Sequence, residues 1–326
     1  MGWIDGRRQE GRTELVLRPC PKPLLQGWRV QVEGVLRRPS SGPHPLLNGS
    51  AERLAARGSW SRLTSSRCDL FDRSWTPIAD LRRRIAIRFQ DLAGRGRGGL
   101  LAALVLGSAQ VQLPSDLRQM FRVAGLSHAL AASGFHLSVL IGAALLLSRR
   151  WTAPFRLALA FLAMLLFLLL AGSQPSVVRA VLMVSMALLI RETGHRPRGF
   201  GVLLVAISLM LLLHPAFARS IGFQLSAAAT AGLIVTSPGV EQWLVVHLPG
   251  RWHALAPALS VPLAAMAWTL PLQLLNFCST PLNALIANLL VAPLLAPLTL
   301  SALCLALLSL FVLSGVLLVL SWPVSQ

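Results

Sequence analysis

The stretch FRVAGLSHALAASGFHLSVLIG, Phe121 to Gly142, places His128, Ser133 and His136 close together inside an otherwise apolar run. Imidazoles and hydroxyls in such a run are costly unless they face a cavity or a partner. One chemistry open to them is nucleophilic. Ser133 and His136, three apart, come into contact on a helix, as a serine nucleophile and its base must. A carboxylate to orient the imidazole is missing, because no Asp or Glu after Asp116 falls within an apolar span. The other chemistry is that of a polar wall. Arg179 in GSQPSVVRAVLM, Gln224 and Ser226 in GFQLS, Gln273 and Asn276, and Asn288 ahead of Pro293 and Pro297 all interrupt apolar segments. Singly, each reads as a hydrogen bond between helices, or for Arg179 as a side chain reaching toward the interface. Jointly they read as the lining of a hydrated passage, where carbonyls freed by proline can face water or protein.

Metal and cofactor chemistry finds no support. The seven His, at 44, 128, 136, 195, 214, 247 and 253, show no His-x-His or His-Glu-x-x-His spacing, and no Gly-rich loop with Lys-Ser/Thr occurs. No cofactor and no metal are expected.

These residues need apolar helices to hold them. From 126 onward the chain is almost continuously hydrophobic, with eight candidate spans at 126–147, 153–171, 174–190, 200–217, 219–236, 255–276, 282–299 and 300–322. The last two are open to reading as one broken segment. Each comes close to covering the ~30 Å hydrocarbon core at 1.5 Å rise per residue. In the first span Ser127, Ala131, Gly134, Ser138 and Gly142 fall on one arc, a stripe of small residues suited to close helix packing. Upstream, 79–98 interleaves six Arg with Leu81, Ile85, Ile87, Phe89 and Leu92, the pattern of a basic helix lying at a membrane surface. Residues 99–124 continue it as two shorter helices. Ahead of these, Thr13 to Arg18 and Trp28 to Leu36 alternate with period two and predict strands. Ser59 to Leu63 predicts a third strand, Ala51 to Arg57 a short helix, and the Pro/Gly/Ser-rich 37–50 a loop.

The composition agrees. Of 326 residues, 54% are hydrophobic and 13% charged, which excludes a disulfide mini-protein, a collagen and a purely soluble enzyme. The formal net charge is +18, a balance suited to phosphate or anionic head groups. Arg149, Arg150 and Arg156 follow the first span and Arg191, Arg196 and Arg198 the third, which places those loops in the cytoplasm and the N-terminal domain outside. A tail of about a hundred residues, so basic, resists export without an earlier hydrophobic signal, so upstream helices are expected. Cys20 and Cys68, in that outer segment, are a disulfide candidate.

Five blocks occur in a fixed order: FRVAGLSHALAASGFHLSVLIG (121–142), AGSQPSVVRAVLM (171–183), HPAFARSIGFQLS (214–226), TLPLQLLNF (269–277) and ANLLVAPLLAPL (287–298). They closely resemble the membrane core of the ComEC competence proteins, the inner-membrane channel for DNA uptake in natural transformation. WRVQVEGVLRRP (28–39) and HPLLNGSAERLAARGSWSRL (44–63) resemble the later half of that family's extracytoplasmic OB-like domain. The fold class implied is mostly α: a polytopic helical membrane protein with a small partial β, OB-like N-terminal domain. Its divisions would be residues 1–78 as the partial OB-like domain, 79–124 as interfacial helices, and 125–326 as a transmembrane domain of about seven or eight helices.

The resemblance implies a bacterial inner-membrane protein that passes single-stranded DNA to the cytoplasm, with the bilayer, other uptake proteins and further copies of itself as partners. His128, Ser133, Gly134, His136, Arg179, Gln224, Ser226, Gln273 and Asn288 would line the channel. Trp28, Arg29, Arg37, Arg38 and Trp60 would hold the strand by charge and stacking. The family's metallo-β-lactamase-like nuclease domain has no counterpart in the 326 residues, so the chain is expected to be a central piece without enzyme activity. A small-anion permease, or an intramembrane serine hydrolase using Ser133, is the alternative.

Overall fold

The computed structural model describes residues 2–4, 7–9, 12–16, 26–41, 50–55, 59–108, 110–111, 113–277 and 284–311. The chain divides into two compact units, Met1–Ala79 with Ala216–Ile221, and Asp80–Pro215 with Gly222–Gln326.

In the first unit β1 (Gly2–Ile4) and β2 (Arg7–Gln9) form an antiparallel pair. β3 (Arg12–Val16), β4 (Trp28–Arg37) and β5 (Ser59–Arg73) form a sheet in the order β3-β5-β4, with the helix α1 (Ser50–Ala55) preceding β5. β3 runs parallel to β5 and β4 antiparallel. Along β4, Trp28, Val30 and Val32 are half-buried while Arg29, Gln31 and Glu33 are exposed, the period-two pattern of a one-sided strand. β5 is three times the length of the strand expected at 59–63. Its polar centre, TSSRCD, carries no alternation, and β4 holds it by backbone pairing from Arg62 to Arg73. Arg62 pairs with Glu14, its neighbour in register, at 2.5 Å. Gly27, at φ 92°, closes the turn into β4 so tightly that a Cβ there would meet the Ser74 carbonyl. Among the described residues of this unit, Leu54 is the only buried apolar side chain.

The second unit is helical. α2 (Pro77–Leu106) is two helices joined at a kink, where Gly94 takes φ 78°. The second arm folds back on the first so closely that a Cβ on Gly98 would overlap the Phe89 carbonyl. α3 (Ser115–Val123), α4 (Ser127–Leu130), α5 (Gly134–Leu147), α6 (Ala153–Ala171), α7 (Pro175–Glu192) and α8 (Gly199–Leu213) follow. After a 3-10 turn come α9 (Ile221–Val235), α10 (Ser237–His247), α11 (Ala256–Phe277) and α12 (Ala284–Phe311). Punctuation is local: Pro sits in the first turn of α6, α7 and α10, and Gly172 takes φ 83° just past α6. One core joins α5, α6 and α7 through Leu137, Ile141, Met164, Phe167 and Val177. A second joins the α2 hairpin to Leu170 of α6 and Ala302, Leu305 and Ala306 of α12.

Among the described residues, helices lie within the stretches where spans are expected, with changed boundaries. Among the described residues Ala153–Ala171 and Ala256–Asn276 are long and apolar enough to cross a membrane. α9 and α10, bent by 49°, make a third if taken together. Of the pieces expected at 282–299 and 300–322, the described residues form one helix, Ala284–Phe311, and 312–322 lie outside the described residues. The span expected at 126–147 is broken at Ala131–Ser133, where Ala131 and Ser133 are extended, so the small-residue stripe is not one continuous face. The break is held open from outside, since Ser108 N–H donates to Leu130 O (2.8 Å) and Ser176 Oγ to Ala132 O (3.1 Å). Carbonyls that would have bonded along a helix are satisfied laterally.

Candidate functional site

The broken span is the feature that assembles the polar residues. Because the chain is extended at Ser133, that residue caps α5 and Gly134 opens it. His136 then falls in the first turn, with its Nδ1 3.0 Å from Ser133 Oγ. The pair resembles a capping box in which the serine hydroxyl meets a side chain instead of a backbone N–H. His136 is only 3% exposed, and its Nε2 is buried without a hydrogen-bond partner among the described residues. His128, on α4, holds Gly125 O through Nδ1 at 3.1 Å, and the side chain of Asn288 of α12 stands beside its ring. Gly134 faces Ala180 of α7, 3.5 Å from where a Cβ would stand.

Ala180 adjoins Arg179. This guanidinium is 7% exposed; Nη1 donates to Thr230 Oγ1 of α9, and Nε is buried without a partner among the described residues. Thr230 Oγ1 in turn donates to Ser226 O at 3.0 Å. Among the described residues no carboxylate pairs with Arg179. A buried cation with a hydroxyl as its neighbour leaves capacity for an anion.

The structure thus places His128, Ser133, Gly134 and His136 at the α4–α5 break with Asn288 of α12 beside His128, and links Arg179 of α7 to α9 through Thr230, whose hydroxyl in turn donates to the backbone carbonyl of Ser226. Gln224 lies on α9, two residues from Ser226. Gln273 does not join the group through its amide nitrogen. It donates to Thr269 Oγ1 one turn back (3.0 Å), and Asn276 donates to Leu272 O (2.8 Å), so both serve their own helix. Pro262 and Pro271 lie inside α11, each removing one backbone donor there. Thr230 is legible in the sequence as a polar residue following Gln224 and Ser226 in the same span, whereas the α5 break carries no distinct signal, since its residue pattern suits an uninterrupted helix.

In the first unit the basic and aromatic candidates separate by exposure. Arg29, Arg37 and Arg38 are exposed, whereas Trp28 is half-buried with its Nε1 unpartnered among the described residues. Trp60 is the extra residue where β5 steps past β3, and it is 73% exposed. Two further exposed aromatics, Phe71 and Trp75 (87% exposed), do not stand out in the sequence. Of the disulfide candidates, Cys20 lies outside the described residues, and Cys68 is the β5 partner of Val32.

A protein-family model described as "Competence protein" matches residues 104–326. Among curated proteins, ComE operon protein 3 of Bacillus subtilis (strain 168) is 25% identical over 270 residues, covering 80% of this chain and 34% of that protein. The uncharacterized protein YcaI of Escherichia coli (strain K12) is 26% identical over 204 residues, covering 57% of this chain and 26% of that protein. The chain therefore spans about a third or less of the length of these relatives. No solved structure matches it.

Proposed function

The chain belongs to the Competence protein family, with ComEC-type relatives, and from that membership we propose that it walls a path carrying single-stranded DNA across the bacterial inner membrane during natural transformation. The observation that supports this most directly is Arg179: an almost fully buried cation, on an apolar helix, with a hydroxyl partner and an unpartnered Nε. A strand carries one negative charge per nucleotide, and passage across lipid demands positive potential and polar surface where hydrocarbon supplies neither. The amide of Asn288, the two imidazoles and the Ser133 hydroxyl add polar surface at the α4–α5 break, where Gly134 faces Ala180 of the same helix as Arg179.

In this reading the helical unit is a multi-pass membrane domain and the β-rich unit is extracytoplasmic. There, an OB-like sheet holds the strand through Arg29, Arg37 and Arg38 and stacks bases on exposed rings, Trp60 with Phe71 and Trp75. Covalent chemistry on the DNA is left to other parts of the uptake machinery. The test is uptake of labelled DNA by a competent host whose full-length gene carries Arg179→Ala. Surface-bound DNA stays constant while entry into the cytoplasm falls by about tenfold or more, the equivalent of losing ~1.4 kcal/mol of charge stabilisation along the path. Entry at the parental rate would remove the reading.

A further inference from the structure

A second basic site lies on the helical unit, outside the buried group. Arg118 and Arg122 are one turn apart on α3 and exposed, and with Ser108, Ser127 and Leu130 they line a pocket of about 260 Å³. Two like charges at this spacing repel each other and weaken the helix that carries them. Neither forms an ion pair with a carboxylate among the described residues. The nearest acid in sequence, Asp116, accepts from Ser115 Oγ (3.0 Å) and faces a different groove, on the opposite flank of α3.

The walls of the pocket are fixed. Ser108 N–H holds the Leu130 carbonyl, and Leu130 packs with Ala103 and Leu113, against which Leu117 and Phe121 of α3 also lie. The arginines are therefore presented from a braced helix. Ser127 adjoins His128, so one residue separates this pocket from the Asn288–His128 contact.

We infer that Ser108, Arg118, Arg122 and Ser127 form a phosphodiester-binding pocket that holds the DNA backbone beside the buried polar group. The inference rests on the DNA-passage reading above and names where on the helical unit the strand is held. Two guanidinium forks and two hydroxyls match the acceptor oxygens of a phosphodiester. A phospholipid head group fits less well, because its chains need an adjoining apolar groove. The pocket offers Leu130 alone. The apolar groove along α3, lined by Met120, Val123, Ile286 and Leu290, lies on the other flank, and its charged residue is Asp116, which repels an anionic head group.

The experiment measures binding of a fluorescent oligothymidylate to the full-length protein in zwitterionic nanodiscs, between low and moderate salt. Arg118→Gln with Arg122→Gln is expected to weaken binding at low salt about tenfold and to flatten the log K against log salt slope by ~1.4, at ~0.7 for each phosphate no longer neutralised. The double Lys variant restores the slope, which a purely structural role would not. Melting of all variants is compared, and a double Gln variant that unfolds is replaced by Ser108→Ala with Ser127→Ala, for which a several-fold loss of affinity is expected. Unaltered affinity and slope overturn the inference alone if Arg179→Ala still blocks entry. A native protein that binds no strand at any salt overturns both. Weaker binding to phosphatidylglycerol vesicles, with oligothymidylate binding unchanged, reassigns the pocket to lipid and likewise overturns the inference.

Discussion

Two arginines of the helical unit leave water, and they are received differently. Arg82, in the first arm of α2, spends its whole fork on one corner: Nε and Nη2 donate to Leu169 O at 3.0 and 2.6 Å, and Nη1 donates to Gln110 Oε1 at 3.1 Å. Leu169 belongs to the last turn of α6, whose carbonyls have no partner along the helix and whose dipole favours a cation. Gly172, just beyond, takes the left-handed conformation, and a Cβ there would stand 2.9 Å from Gln110 Nε2. Partial burial lowers the Arg82 pKa, from a starting point so far above neutrality that the charge remains. Arg179, more deeply buried, has one hydroxyl. A guanidinium whose three nitrogens all donate to backbone or amide oxygens is a structural clamp; one whose Nε has no partner among the described residues is a site. The difference lies in the neighbours, since the residue type is the same.

The largest expected effect breaks the clamp. Arg82→Ala strands the Leu169 carbonyl and Gln110 and removes the cation from the α6 terminus, a cost of about 2–3 kcal/mol. Melting of the purified protein should drop by several degrees, and DNA entry should fall in proportion to the folded protein remaining. Arg82→Lys recovers only part, because an ammonium cannot match the planar fork. An Arg82→Ala protein of native stability that nonetheless fails in uptake would make Arg82 a second site residue and erase the contrast.

Next comes the converse, Arg179→Met. Replacing an incompletely partnered buried charge by an apolar side chain of similar length is often neutral or stabilising. Melting should hold or rise while DNA entry falls about tenfold or more, the mirror image of the Arg82 result. If melting instead collapses, Arg179 belongs with Arg82 as a structural group, and the argument for an anion path loses its main support.

How far each is legible in sequence follows from the range of its partners. Arg82 reads as one of six arginines on an amphipathic helix, because its role is set by Leu169, 87 residues away. Arg179 stands out at once as a charge in an apolar run, a violation visible without any structure. The same rule separates the strands. β4 is plain because one of its faces is half-buried and alternation records that, while β5 beyond Leu63 is held by backbone pairing that polar side chains do not report. Apolar runs announce the helices. The break at Ala131–Ser133 does not show, since Ala-Ala-Ser suits helix and strand alike, and Ser108 and Ser176 from other segments decide it. Gln273 illustrates the opposite failure: an amide that looks exceptional in an apolar helix donates to the threonine one turn behind it.

The smallest effect sharpens what kind of site surrounds Arg179. Ser133 and His136 stand at hydrogen-bond distance, the first requirement of a serine nucleophile. The second, a group that orients the base, would be an acceptor at His136 Nε2, and among the described residues that nitrogen is unpartnered. A hydroxyl that merely holds an imidazole at the start of α5 is worth about 1 kcal/mol. Ser133→Ala should accordingly lower melting slightly and DNA entry by a few-fold, with His136→Asn, which keeps a polar group in the first turn, doing about the same. A nucleophile behaves otherwise: Ser133→Ala abolishes activity, and a fluorophosphonate labels the native serine but not the variant. Labelling at Ser133 would turn the polar group at the α5 break into a reaction centre, with Arg179 as its neighbour instead of its partner in the wall.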